Sequence, residues 1–337
     1  MNKRKTAFLK WLLVYPVVVF LCLEIAFRIM GYQHFKNDDY SIRSNPKNAF
    51  VGHPKLGIQL NPGTYQININ NGLAFEACHL DNHSRYVAGR KQNHSNVLLL
   101  GCSFTYGFGV DDGQTFASLL QKAYPDAGIQ NAGVIGYGSV QSLMQLKEQL
   151  EAGHLKVALL HFSSYHFMRN RLSQQYRSNL KIGYKRSSQD VDNLMKQSKF
   201  PYKTSCDGPI EFASWESMYS NWPGRDWFAA INSMQTAFDK ASEDIEQQLE
   251  ITACILKEMN DLCRKKGVEF GVVCLDTTPE TKQLKKRLDG LNWLDVNFNF
   301  NSKELTNYPY DSHPNRKGHK LIADKIQPFL RGLLNEN

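Results

Sequence analysis

The sequence predicts an α/β protein centred on a parallel, doubly wound sheet. Three observations carry this: short apolar runs ending in glycine-rich turns, helical patterns between those runs, and a hydroxyl residue placed where the first run ends. That first run, Val97 to Leu100, is too short and too β-rich for a helix, and Gly101 punctuates it. Ser103 then stands at a strand-to-loop corner. Ligands of open parallel sheets collect at the carboxyl ends of the strands, so a hydroxyl there is a candidate nucleophile. Taken alone, it reads first as a turn-capping serine.

The elements follow in order. Gly107-Phe-Gly-Val-Asp-Asp-Gly113 is a glycine-rich loop, and Thr115 to Tyr124 has a helical pattern with Phe116, Leu119 and Leu120 on one side. The loop lacks the Lys-Ser/Thr of a phosphate cradle and the GxGxxG of a dinucleotide site. It is not a GxSxG elbow either, because Thr105 stands where the second glycine belongs. A second strand over Gly128–Asn131 leads into Ala132-Gly-Val-Ile-Gly-Tyr-Gly-Ser139 and a helix from about Val140 to Glu151. Gly136 and Gly138 either free the backbone to approach a ligand or make a tight turn. Lys156–Phe162 is a third strand, running into Ser163-Ser-Tyr-His-Phe-Met-Arg-Asn170.

Residues 170 to about 235 break this rhythm. They are basic and aromatic, including Tyr176, Trp215, Trp222 and Trp227. They read either as a substrate-contacting insertion or as a small packed subdomain. One long helix is expected from about Ser233 to Lys266, on Phe238, Ile245, Leu249, Ile255 and Met259. Val268–Cys274 is a fourth strand, Leu294–Phe298 a fifth, and a terminal helix follows through Leu321, Ile322, Ile326 and Leu330.

At 337 residues and 42% hydrophobic, the chain has room for one large domain or two small ones. The formal charge of +8 is mild and scattered. It fits a solvated face, or a surface for anionic lipid or polysaccharide, and with no accompanying motif it gives no nucleic-acid partner. The seven cysteines show no metal-ligand spacing, and no metal or organic cofactor is expected. In an exported chain a disulfide among Cys78, Cys206, Cys254, Cys263 and Cys274 is compatible with the sequence, its connectivity open.

Lys3, Arg4, Lys5 and Lys10 precede an apolar run from Trp11 to Leu23, which Glu24 and Arg28 then interrupt. The uncharged core is short for a spanning helix, and longer if Lys10 and Arg28 snorkel and Glu24 lies near the interface. No small-x-small cleavage site follows. Residues 1–30 are therefore expected to be a basic leader and uncleaved signal anchor in the cytoplasmic membrane, with the rest facing the periplasm or exterior. A buried core helix is the competing reading. Residues 31–95, rich in Asn and turns, are expected to form an extended lead-in with one or two strands and no chemistry, and residues 96–334 the main domain.

The second half of the site lies in Tyr310-Asp-Ser-His-Pro-Asn-Arg-Lys-Gly-His319. Pro314 keeps His313 out of the helix that follows. In near-extended backbone Asp311 and His313 project to one side, so the carboxylate holds the imidazole in one tautomer, fit to take a proton from a serine. A lone His before a helix is more often a cap, but this motif follows a sheet that already presents Ser103. His319 is a competing base inside the helix pattern.

Gly101-Cys-Ser-Phe-Thr-Tyr-Gly-Phe-Gly-Val110, Asn131-Ala-Gly-Val-Ile-Gly136 and Asp311-Ser-His-Pro-Asn-Arg-Lys-Gly-His319 stand in the order expected of the SGNH (GDSL-like) hydrolases, which the chain resembles over roughly residues 95–330. The charged anchor looks like that of membrane-anchored bacterial members. The resemblance implies a three-layer α/β/α sandwich with a flavodoxin-like parallel sheet. It makes Ser103 the nucleophile and an oxyanion donor, Gly136 a second donor, His313 the base and Asp311 its orienter. Cys102 replaces the family's usual Asp, which is not the triad acid, and is expected to be packed. The usual oxyanion Asn after the third strand is missing, and Tyr165 or His166 stands near its place. The resemblance thus implies a serine esterase or acyltransferase acting on O-acyl groups of an extracellular glycan or lipid, with a membrane acyl-donor protein as partner if it transfers. The alternative is a catalytically silent glycan-binding or assembly protein that retains the fold.

Overall fold

The computed structural model describes residues 3–36, 40–70, 72–91, 96–187 and 191–334. The chain divides into two compact units, Met1–Asp38 with Tyr219–Glu243, and Asp39–Met218 with Asp244–Asn337. These units cut across the division drawn from sequence. The tail of the expected insertion is grouped with the N-terminal helix, and the lead-in is grouped with the sheet.

Helix α1 (Lys3–Ile29) opens the chain. Its stretch Trp11–Ile29 has a mean hydropathy of 2.2 and is almost wholly exposed, which suits a membrane anchor or a signal sequence. The lead-in is more ordered than expected. It holds β1 (Ile42–Asn45), β2 (Phe50–His53), β3 (Gly57–Leu60), β4 (Gly63–Ile69) and β5 (Leu73–His79). β2 pairs with β3, and β1, β4 and β5 form an antiparallel sheet. Tyr65, Ile67 and Ile69 alternate inward on β4 while Phe75 and Ala77 do so on β5, so the two strands share one buried face.

The central sheet contains β6 (Val97–Gly101), β7 (Ile129–Asn131) and β8 (Val157–Phe162). Among them run the single-turn α2 (Ser103–Tyr106), α3 (Phe116–Ala123) and α4 (Ser139–Ala152). After β8 come α5 (Tyr165–Asn170), α6 (Gln174–Ser187), α7 (Val191–Met195) and a hairpin of β9 (Lys199–Tyr202) and β10 (Glu211–Ser214). The chain continues through α8 (Ala229–Ala241), α9 (Ile245–Lys265), β11 (Glu269–Cys274), α10 (Pro279–Arg287), β12 (Asn292–Asp295) and α11 (Arg316–Leu334). The sheet order is β12-β11-β8-β6-β7, all parallel. Numbered by appearance this is 2-1-3-4-5, the flavodoxin-like order.

The strands are apolar on both faces because both are covered. Leu98, Leu100, Leu160 and Phe162 pack with Val140, Leu143 and Leu146 of α4 and with Leu249, Ile255 and Met259 of α9. Val97, Leu99, Val157 and Leu159 pack with Phe116 and Leu120 of α3 and with Ile322, Ile326 and Leu330 of α11. The period-2 alternation thus produces three layers from one sheet.

Two expectations are corrected. The single helix from Ser233 to Lys266 is two helices, because Asp244 caps α9 by accepting from the Gln247 N–H at 3.0 Å, and a cap ends helical continuity that apolar spacing alone would extend. The fifth strand is Asn292–Asp295 rather than Leu294–Phe298, although Val296 and Phe298 still donate to Cys274 and Leu275 beside it. The insertion before Met218 is a packed subdomain. Tyr176, Leu180, Phe200, Trp215 and Met218 share a core with Ile58, Leu60 and Tyr65 of the lead-in. Cys206 and Cys254 form a disulfide, with Cα atoms 5.6 Å apart, that ties the β9–β10 loop to α9. Cys78, Cys263 and Cys274 remain free.

Candidate active site

β6 delivers the Ser103 corner beside the central strand β8, where the strand order reverses and ligands of such sheets bind. Gly101 sits at φ +145°, and a Cβ there would lie 2.3 Å from Thr105 Oγ1 and 2.8 Å from the His161 carbonyl. Only glycine permits the sharp exit into α2, which Gly107 closes at φ +87°. As a first-turn amide, the Ser103 N–H has no acceptor within its own helix.

His313 lies in the loop before α11, its carbonyl accepting from the N–H and side-chain amide of Asn307. Its Nε2 is 2.7 Å from Ser103 Oγ. Its Nδ1 bonds Asp311 Oδ1, and the same oxygen accepts from the His313 backbone N–H at 2.6 Å. An Asx turn, with a bend at Ser312 and His313, brings the two groups together, and not the near-extended backbone expected from sequence. Nδ1–H donates to the carboxylate, leaving Nε2 to accept from the serine hydroxyl. Phe104 and Phe108 flank the ring at 5.1 and 5.0 Å. Burial alone would raise the Asp311 carboxyl, but the His313 ring and the hydrogen bonds from His313 and Tyr40 outweigh it and hold it below its ordinary value.

Gly136 takes φ +75° in the loop after β7, and its carbonyl accepts from the Tyr176 hydroxyl. That loop is locked to α2. Asn131 Nδ2 donates to the Thr105 carbonyl at 2.8 Å, and Asn131 Oδ1 accepts from the Gly133 N–H. Tyr165, half-exposed at the carboxyl end of β8, brings its ring to 6.3 Å from that of Phe104. His166 is turned into the interior, fully buried, with Nδ1 3.0 Å from Ser139 Oγ. Of these two residues, Tyr165 is the one whose ring lies near Phe104. His319 is also enclosed. Its Nδ1 accepts from the Phe116 N–H at 3.2 Å, and burial pushes it down to about 3. It packs the core and does not compete as base.

Three residues escape the sequence reading. Tyr40, from the lead-in, donates to Asp311 Oδ2 at 2.6 Å. Burial and the Asp311 charge push its hydroxyl well up, so it stays a donor. Arg85, fully buried, donates to the carbonyls of Tyr106, Gly107 and Val110 and pairs with Asp112 at 2.7 Å, clamping the loop behind Ser103. Arg169 donates to the Tyr137 carbonyl at 3.0 Å and lies over the rings of Tyr165 and Tyr176. Among the described residues no carboxylate pairs with it. None of the three sits in a motif, and the bonds from Tyr40 to Asp311, Arg85 to Tyr106 and Arg169 to Tyr137 join residues far apart in sequence. Among the described residues no group of three or more His, Cys, Asp or Glu is placed to hold a metal ion.

No protein-family model and no curated protein matches the chain. Solved structures do. A lipolytic protein of the G-D-S-L family from Desulfitobacterium hafniense DCB-2 is 10% identical, with a TM-score of 0.38 over 70% of this chain and 99% of its own. The psychrotrophic esterase EstA from a Pseudoalteromonas species is 14% identical, with a TM-score of 0.40 over 72% of this chain and 100% of its own. A two-domain esterase active on acetylated mannans is 14% identical, with a TM-score of 0.36 over 72% of this chain and 50% of its own.

Proposed function

We propose that the chain is a serine-dependent ester hydrolase or acyltransferase of SGNH type, with Ser103, His313 and Asp311 as its triad. The observation that carries this is Ser103 Oγ at 2.7 Å from His313 Nε2, with Asp311 on the opposite nitrogen. Ser103 Oγ attacks an ester carbonyl while its proton passes to His313 Nε2. The oxyanion forms against the Ser103 and Gly136 N–H groups, with the Tyr165 hydroxyl as third donor. The alcohol leaves with the proton from His313, and Ser103 is left acylated. Water restores the enzyme by hydrolysis, whereas a sugar hydroxyl completes a transfer.

The substrate is an O-acyl group on an extracellular glycan or lipid. α1 anchors the chain in the cytoplasmic membrane, with the site facing the periplasm or exterior. Two features support this placement: the apolar length of α1 behind a basic leader, and the Cys206–Cys254 disulfide, which belongs to an oxidising compartment. Incubating the protein with O-acetylated oligosaccharide, with and without unacetylated acceptor, tests the reading. Free acetate, or acetylated acceptor, should appear with wild type and vanish with Ser103→Ala. Equal product from both proteins would contradict it.

A further inference from the structure

Helix α8 has its polarity reversed for a soluble helix, and we propose that Tyr219–Glu243 is a lipid-facing element bedding beside α1 in the headgroup and upper acyl region of the bilayer. The proposal rests on the anchor part of the reading above. In α8 polar side chains point inward. Gln235 Nε2 donates to Tyr219 Oη at 2.9 Å, and Asp239 accepts from the same hydroxyl at 2.5 Å. Arg225, buried, joins the cluster through Tyr219 at 2.7 Å and Asn232 at 2.9 Å. The outward stripe is apolar instead. Trp227, just ahead of the helix, is 71% exposed, Met234 55% and Phe238 57%. With half-buried Ile231 they recur every three or four residues, which places them on one face. Thr236 and Lys240 are exposed beside them, the pattern of a helix lying at an interface.

What covers that stripe follows from α1. Its 19 residues from Trp11 to Ile29 extend about 28 Å at about 1.5 Å each, close to the ~30 Å of a hydrocarbon core, whereas stopping at Leu23 leaves only about 20 Å. Spanning thus puts Glu24 and Arg28 inside the edge of the apolar layer, where charges persist only when paired. The 219–243 segment supplies the partners. Glu24 accepts from the Ala229 and Ala230 N–H groups at 3.0 and 2.9 Å and from Arg28 Nε at 2.6 Å. Arg28 donates to the Trp227 carbonyl at 2.9 Å, and the Phe20 and Phe228 rings meet edge to face at 5.0 Å. The start of α8 is therefore held at the depth of Glu24, and the bilayer edge around Glu24 also meets Trp227 and the stripe beyond it. Trp222, Trp227 and Tyr32, all exposed, are of the type that gathers at that level.

The test uses the full chain in proteoliposomes of phosphatidylcholine brominated on the upper acyl chain, against unbrominated lipid, and follows tryptophan emission. Bromine should quench wild type, and Trp11→Phe and Trp227→Phe should each remove part of the quenched emission. Loss with Trp11→Phe but none with Trp227→Phe would overturn the proposal and keep the anchor, leaving the stripe to a protein partner. Unquenched wild type would overturn the anchor and the proposal together.

Discussion

Tyr40 reaches the site from a stretch that carries no motif, yet its hydroxyl supports the outer oxygen of Asp311. Tyr40→Phe keeps the ring and removes only the donor. A hydrogen bond to a charged acceptor is worth about 1.5–3 kcal/mol, so kcat/KM should fall roughly tenfold or more. The loss should sit in kcat with KM little changed, and an unchanged kcat would make Tyr40 a packing residue only. Ser103, Asp311 and His313 were legible because each lies in a contiguous motif whose spacing encodes its local geometry. Tyr40 was not, since 271 residues separate it from Asp311 and only the folded lead-in brings them together. Tyr165 and His166 illustrate the same limit: adjacent in sequence, one is exposed and the other buried against Ser139, a difference only the folded chain carries.

At the scale of elements, β6 and β8 were readable because both faces are buried and their runs are almost wholly apolar, whereas the edge strand β12, Asn-Trp-Leu-Asp and only half-buried, was placed out of register. The α8–α9 break was not readable, because apolar periodicity passes through Asp244 without registering its cap. The loop after β7 makes a sharper prediction. A Cβ on Gly133 would lie 2.4 Å from the Tyr106 backbone nitrogen and 2.6 Å from Thr105 Cβ, so Gly133→Ala must push α2 aside. Displacing a nucleophile by about 1 Å costs on the order of 10²-fold in rate. Labelling of Ser103 by a fluorophosphonate should slow accordingly while the circular dichroism of the fold is retained. An unslowed variant would mean that this loop does not set the position of the nucleophile.

For the whole molecule, buried neutral imidazoles govern the response to acid. Burial pushes His79 and His161 down to about 4 and His319 to about 3, and holds His166 well below its ordinary value. Their folded values lie below the unfolded one of about 6.5, so the unfolded chain takes up protons first as pH falls. Stability is therefore full above about pH 6.5 and declines below it by up to about 1.4 kcal/mol per pH unit for each imidazole. Asp311 is also depressed, so its contribution goes only at lower pH, as its carboxylate protonates. Thermal unfolding between pH 7.5 and 4.5 should show a melting temperature falling steeply below pH 6.5. A flat profile would contradict the burial of these rings.

The central claim is an activated serine held by His313 and Asp311. Intact-mass analysis of the full chain after treatment with a fluorophosphonate tests it most directly, beside Ser103→Ala and His313→Ala. The account predicts one adduct on the wild type and none on either variant. A folded wild type that takes no adduct, or an adduct that survives Ser103→Ala, would contradict it.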